Sequence, residues 1–449
     1  MQNKLSKGFQ IFLFLFFFLI MGQSSPLFAS AKTSARDVIT KSGRDVDGDD
    51  TGAIVYNEYH IGVHSALNNF SLKLFETLLS QSDEEQTVIS PMSITMALSM
   101  LYNGAYSATK ESIANTLGLN NIVPYNNTDP ETLRFSLNQV LMDQINDLKA
   151  KHINISNSLW VQQDLPLRAS FTSALEHYFY AMTKTVDFKN TVATALSMNQ
   201  WIGQQTNQRI SQMVSAKDLV DNDLVIANAL YFDLQWERPF SAIETKSTDK
   251  HHFKNTPGQI EMMSQTDHFY YFQGEDYQAI RLPYQNTAIA MYIILPTLTK
   301  EKNDEITSVG FWKQLDRKLT KHLGYLELPK FEINLSTDLG GLLRKMEMGI
   351  AFDKHFADFS KMVENPMLHK LYVSKVLHNI FMKNDEEGTV AAAATTIIMD
   401  DIGYHFPIED RAKPDFKMII DHPFYVMIRD INNGTTLFSA YIKKIGYHQ

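Results

Sequence analysis

The sequence predicts an α+β domain with mixed sheets. Apolar residues at helical spacing dominate the early part of the chain, and strand-length apolar runs dominate the later part, interleaved with helices. No internal repeat and no proline- or glycine-rich linker interrupts residues 61–449, so one large domain is expected. With 449 residues, 44% of them hydrophobic, the chain can bury a large core.

Residues 1–31 stand outside that domain. Lys4 and Lys7 precede an apolar run from Ile11 to Met21 that is short for a membrane span. Ala29-Ser30-Ala31 then supplies the small-x-small pattern of a secretory cleavage site. Residues 1–31 are therefore read as a signal peptide, and the mature chain as secreted or periplasmic and free of the membrane. Residues 32–60 are polar and charged and read as a flexible leader. Their Asp45–Asp50 run misses the calcium-loop pattern, because Asp50 stands where the turn glycine belongs and Tyr56 where the closing glutamate belongs.

From residue 61 the elements follow in order. Phe70, Leu74, Phe75, Leu78 and Leu79 predict a helix. Ser93–Tyr102 and Glu111–Leu117 predict two more, the second with Ser107 and Thr109 as candidate caps. Ser197–Thr206 and Arg209–Met213 also read as helical. Asn154–Gln162, Leu224–Phe232, Ile289–Pro296, Gly324–Leu335 and Lys370–Lys383 read as strands, and three short strands close the chain.

Composition removes several function classes. A net charge of −9 gives no affinity for nucleic acid or other polyanions. The absence of cysteine excludes thiol catalysis, zinc ribbons and a disulfide framework. His251-His252 has no third ligand nearby and reads as an exposed polar pair. No nucleophile elbow, zinc-protease helix, P-loop or dinucleotide fingerprint is present, so neither enzyme activity, nor a cofactor, nor a metal is expected. Five N-x-S/T sites occur, at Asn69, Asn126, Asn154, Asn334 and Asn433.

One stretch resists a structural reading. Residues 385–398 are DEEGTVAAAATTII, with almost no side-chain bulk between two apolar segments. Thr389, Ala391, Ala393 and Thr395 share one face at period two, and all are small and uncharged. Side chains this small bury little area, so the stretch is not ordinary core.

Several segments, in order along most of the chain, together resemble the serpin family. They are VISPMSITMALSMLYNGAYSATKESI at 88–113, Asn199-Gln200-Trp201-Ile202 with Thr206 and Ile210, and NALYF followed by Trp236-Glu237-Arg238-Pro239-Phe240. LPKFEI, Leu339–Phe352, Asp358-Phe359-Ser360, the EEGTVAAAATT run and MIIDHPFYVMI at 418–428 complete them. The resemblance implies a single serpin-like domain over 61–449, with three β-sheets, eight or nine helices and an exposed reactive loop at about 386–415. It implies a metastable, monomeric, suicide-substrate inhibitor of serine proteases, whose cleaved loop inserts into a sheet and traps the acyl-enzyme. The alternatives are a non-inhibitory binding or carrier protein, which would typically have bulky or charged hinge residues, and an inhibitor of a cysteine protease.

The resemblance also assigns residues. Glu386, Glu387, Gly388, Thr389, Val390, Ala391, Ala392, Ala393, Ala394 and Thr395 form the hinge. Gly388 is expected to supply backbone freedom. Ser90, Ser93, Asn228 and His378 match the polar cluster beneath the sheet opening. Lys330 and Glu386 match the ion pair at its top, beside Trp236. In the family the scissile carbonyl belongs to roughly the seventeenth residue, counting the hinge glutamate as first, which points to Ile402-Gly403. That bond suits elastase- or subtilisin-like partners. Other registers point to Asp401, to Tyr404 or Phe406 (chymotrypsin-like partners), or to Arg411 (trypsin-like). Asp233-Leu234 and Ser439-Ala440-Tyr441 depart from the family pattern, and the stretch from Ile402 to Phe424 is longer than usual.

Overall fold

The computed structural model describes residues 51–122, 130–232, 234–248, 253, 260–285, 287–297, 304–367, 370–389 and 413–445. The chain divides between Asn57 and Glu58, and the elements below belong to the second unit, apart from the first turns of helix α1 (Thr51–Gln81). The signal-peptide reading, Val390 to Thr395 and every candidate scissile bond lie outside the described residues.

Helix α1 reaches back into the stretch expected to be leader. It begins at Thr51, and from Tyr59 onward it packs on the core, with Tyr59 and Val63 buried. Helix α2 (Pro91–Gly104) is the central one. Ser90 caps it, Pro91 occupies its first turn, and almost every residue is buried, as expected of a helix apolar on all sides. Helices α3 (Ser107–Thr116), α4 (Pro130–Ala150), α5 (Ala169–Phe179), α6 (Thr191–Gln205), α7 (Val309–Lys318) and α8 (Gly340–Leu343) bring the described α-helices to eight.

The strands form two hydrogen-bonded ladders. The first has seven strands: β3 (Met182–Val186), β2 (Ile153–Gln162), β4 (Leu224–Phe232), β12 (Lys375–Asn384), β13 (Gly388–Thr389) and β5 (Leu234–Gln235), with β11 (Phe331–Asp338) on the outer side of β12. The second has nine strands. It runs β1 (Gln86–Ile89), β16 (Thr436–Ile442), β15 (Phe424–Asp430), β9 (Ile289–Pro296), β8 (Tyr277–Pro283), β7 (Ile260–Gln273), β10 (Thr320–Pro329) and β14 (Phe416–Ile419), and β6 (Lys246–Thr248) pairs with β7. Strand β7 explains why two of the three implied sheets are continuous by hydrogen bonding. Its start lies between β6 and β10, and its end between β8 and β10.

The α+β class and the serpin-like architecture hold, while several local readings change. Ser107 and Thr109 do not cap α3: Tyr106 holds the cap position without a side-chain bond, and the Thr109 hydroxyl accepts from the Asp358 N–H instead. Arg209–Met213 is not helical, because its backbone donors are taken elsewhere. Ile210 donates to the Thr206 hydroxyl, and Met213 donates to Asn199 Oδ1 at 2.7 Å. The Gly324–Leu335 run is two strands broken at Lys330, whose N–H turns to Glu261. The Lys370–Lys383 run becomes strand only at Lys375, since Val373 and Ser374 donate singly to Ala351 and Leu224.

Candidate functional site

Strands β4 and β12 sit at the middle of the seven-stranded sheet and pair in parallel from Val225↔Lys375 to Leu230↔Ile380. Above that level they part. Thr389 lies opposite Asn384 of β12 on one side and Leu234 of β5 on the other, antiparallel to both, and Gly388 lies opposite Gln235. The start of the hinge is therefore a wedge in the mouth of a sheet that is closed below it.

The wedge is gripped by backbone and side chain alike. The Trp236 N–H donates to the Glu387 carbonyl at 2.9 Å, the Phe240 N–H to the Glu386 carbonyl at 2.8 Å, and the Trp236 indole to the Asp385 carbonyl at 3.0 Å. Asp385 Oδ1 accepts from the N–H groups of Glu387 and Gly388 and shapes the turn. Trp236 stacks on Tyr284 with ring centroids 4.7 Å apart, and the Tyr284 hydroxyl meets the Thr389 hydroxyl at 2.6 Å. Burial pushes the Tyr284 phenol well above its ordinary range, so it stays neutral there.

Gly388 is required for closeness. A Cβ on it would stand 2.1 Å from the Leu234 carbonyl oxygen and 2.7 Å from Gln235 Cα. The backbone of β5 thus occupies the space a side chain would need, and conformational freedom is not the constraint at this position in this state.

At the top of the opening, Lys330 Nζ lies 3.2 Å from Glu386 and 3.3 Å from Glu261. Thr245 donates to Glu386 Oε1 at 2.8 Å. Burial pushes the Glu386 carboxyl up, but the Thr245 hydroxyl, its own backbone N–H and Lys330 outweigh it and hold the group below the carboxylate range. Burial likewise pulls the Lys330 ammonium down, and its two glutamates more than reverse that.

A second polar group lies deeper. The Ser90 N–H donates to His378 Nε2 at 3.0 Å, and the Ser90 hydroxyl donates to the Leu437 carbonyl and accepts from the Ser93 hydroxyl. The structure thus joins Ser90, Ser93 and His378. Asn228 stands opposite His378 in the ladder, but its amide donates to Asn157 on β2. Because His378 Nε2 is an acceptor, the neutral ring carries its proton on Nδ1. Among the described residues neither that Nδ1–H nor Asn228 Oδ1 has a hydrogen-bond partner, though both are buried. Full burial pushes the His378 pKa down to about 3.

Sequence reasoning did not reach Tyr284, Thr245, Asp385 as a turn-former, or Asn157. Each is a single polar residue whose partner is distant in the chain, and no local pattern marks it.

A family model described as serpin (serine protease inhibitor) matches residues 65–444. Serpin-Z1C of Triticum aestivum is 31% identical over 396 residues, covering 83% of this chain and 94% of the relative. An uncharacterised serpin-like protein of Thermococcus kodakarensis is 31% identical over 380 residues, covering 84% of each. Among solved structures, thyroxine-binding globulin in complex with thyroxine matches with a TM-score of 0.72 over 84% of this chain and 98% of that one. At 24% identity this is a likeness of fold alone.

Proposed function

The chain belongs to the serpin family, and from that premise we propose that it is an exported suicide-substrate inhibitor of serine proteases. The observation that carries this reading is the wedge: Gly388 and Thr389 already pair with both walls of the opening, in the antiparallel sense an inserted strand would have.

Extending that register downward tests whether the rest of the hinge fits. Ala391 would arrive opposite Phe232 and Met382, Ala393 opposite Leu230 and Ile380, and Thr395 opposite Asn228 and His378. These positions share the core-facing side of Thr389, where Ile380 and Met382 are packed, so small side chains are what the site admits. Thr395 adds chemistry. A hydroxyl can accept from His378 Nδ1–H and donate to Asn228 Oδ1, the two buried groups left without partners in the native form. Each unmet group costs about 1–3 kcal/mol, so the native sheet holds back stability that insertion would release. Insertion also replaces one parallel pairing by two antiparallel ones, which are slightly stronger per residue.

Within this mechanism the protease attacks Ile402-Gly403, and the acyl-enzyme on Ile402 is carried along as the hinge inserts. Arg411 lies nine residues further on, which adds roughly 30 Å of slack at ~3.3 Å per residue. So loose a tether would leave the enzyme's active site intact and able to finish hydrolysis.

The test is incubation with elastase-, chymotrypsin- and trypsin-like proteases, followed by denaturing gel and mass spectrometry. A denaturant-stable complex should form with an elastase-like enzyme and release a peptide beginning at Gly403. Ala393→Arg should be cut at the same bond yet form no complex, because the arginine would be buried unpaired beside Leu230 and Ile380. Ile402→Arg should redirect trapping to trypsin-like enzymes, whose pocket carboxylate pairs with guanidinium. A released peptide beginning at Ala412 would overturn the register, and normal trapping by Ala393→Arg would overturn the insertion mechanism.

A further inference from the structure

A crevice open to solvent, with an inner cavity of about 50 Å³, lies beside the segment that grips the hinge, between Trp236–Phe240, strands β7 and β8, and Lys321 of β10. Its walls include the aromatic rings of Trp236, Phe240, Phe269 and Tyr270. Across them runs a row of charge. Lys321 pairs with Tyr270, and Tyr270 with Arg281, so one ring has a cation on each neighbouring strand. The Arg281 guanidinium lies 4.0 Å from the ring centroid and Lys321 Nζ lies 5.3 Å from it.

Among the described residues neither cation forms an ion pair; the Arg281 side chain bonds to the Tyr292 phenol, and its Nε is buried without a hydrogen-bond partner. Arg238, also on the wall, is taken by Asp267, which leaves Glu237 as the acid lining the crevice. The frame is already formed: the Glu237 N–H donates to the Pro283 carbonyl at 3.0 Å, and Trp236 bridges to Tyr284. Cation–π contact alone would account for Arg281, but not for Lys321 converging on the same ring.

We propose that this crevice binds a small organic anion with a flat apolar body, of the aryl carboxylate class. The carboxylate would be held by Arg281 and Lys321, and the ring would lie along Trp236 and Tyr270. Arginine suits this role because its fork can give a carboxylate two parallel hydrogen bonds, while the narrow aromatic walls select against bulky or purely hydrophilic anions.

Calorimetric titration of the intact, uncleaved protein with phenylacetate, phenylacetamide and acetate tests this. Phenylacetate should bind saturably, and both the neutral amide and the ringless anion should bind at least about tenfold more weakly, the loss expected for one charge-assisted contact or one aromatic contact. Lys321→Gln, at an exposed position where folding is not at risk, should weaken phenylacetate about tenfold and leave phenylacetamide unchanged. Arg281→Gln should weaken it further, provided its melting curve matches the wild type. The proposal is overturned if phenylacetate does not saturate, if the amide binds equally well, or if Lys321→Gln has no effect.

Discussion

At the scale of single residues, His378 shows how burial turns a side chain into a pH-dependent weakness. Its pKa in the folded chain is about 3, below the ordinary 6.5, because burial disfavours the charged ring. Its Nε2 lone pair is also committed to the Ser90 N–H. Between those two values the unfolded chain binds a proton that the native chain does not. Stability is therefore fully present above about pH 6.5 and declines on acidification by about 1.4 kcal/mol per pH unit, or about 2 kcal/mol by pH 5. Glu386 acts in a different window. Its carboxyl is held below its ordinary value, so its contribution is present above that value and is lost only at more acid pH. His64 is a second depressed histidine, lowered by burial and by His60 against an opposing Asp143, so the wild-type slope alone does not isolate His378. Denaturant melts at pH 7.5 and pH 5 should show the decline in the wild type and a smaller one in His378→Gln. Equal declines would remove His378 from the account.

At the scale of elements, the proposed hinge and the cleft that would receive it are written in two distant places. Of the hinge the structure describes residues 386–389, and the contact of Glu386 with Lys330 there was legible through their motifs. The strands Leu224–Phe232 and Ile289–Pro296 were legible as largely apolar runs of strand length, interrupted in the first by Asn228. Strand β7 was missed because IEMMSQTDHFYYFQ mixes polar and apolar residues without strict alternation, its pairing being set by three different neighbours. Arg209–Met213 was misread because its spacing suits a helix while Asn199 and Thr206 claim its donors, a tertiary override that no local window contains. Tyr284 belongs to the same class: only the fold brings its hydroxyl to Thr389. The register extended from Thr389 turns this hinge and cleft into an experiment. Thr395→Val keeps the shape and removes the hydroxyl that would reach His378 and Asn228. It should form less stable complex per protease consumed, because the inserted strand would bury those two groups still unmet, at a cost of about 1–3 kcal/mol each. Measuring the stoichiometry of inhibition decides it, and an unchanged ratio would place Thr395 outside that contact.

At the scale of the whole molecule, the proposed mechanism requires a fold held in a form that is not its most stable one. Packing alone does the holding, since the chain has no cysteine. The interior is continuous from α2 through both ladders, so the sheet can open only where β4 and β12 already part. An ordinary protein nicked in a surface loop loses stability or keeps it, because a cut adds freedom to the unfolded and folded chain alike. On the proposed mechanism a cut within 390–412 would free a strand whose start, Gly388 and Thr389, is already paired on both sides. If insertion adds about ten ladder hydrogen bonds at ~1 kcal/mol each, the cleaved form gains on the order of 10 kcal/mol. Unfolding entropy of ~2.1 cal/mol/K per residue over a domain of this size converts that to a rise on the order of 10 °C in melting temperature. Intact and loop-cleaved protein should therefore be compared by calorimetry at equal concentration and pH. A rise on cleavage supports a strand that completes the sheet, and the rise should be smaller in Thr395→Val and abolished in Ala393→Arg. An equal or lower melting temperature after cleavage would mean that the loop stays out of the sheet, and the carrier reading would then replace the inhibitory one.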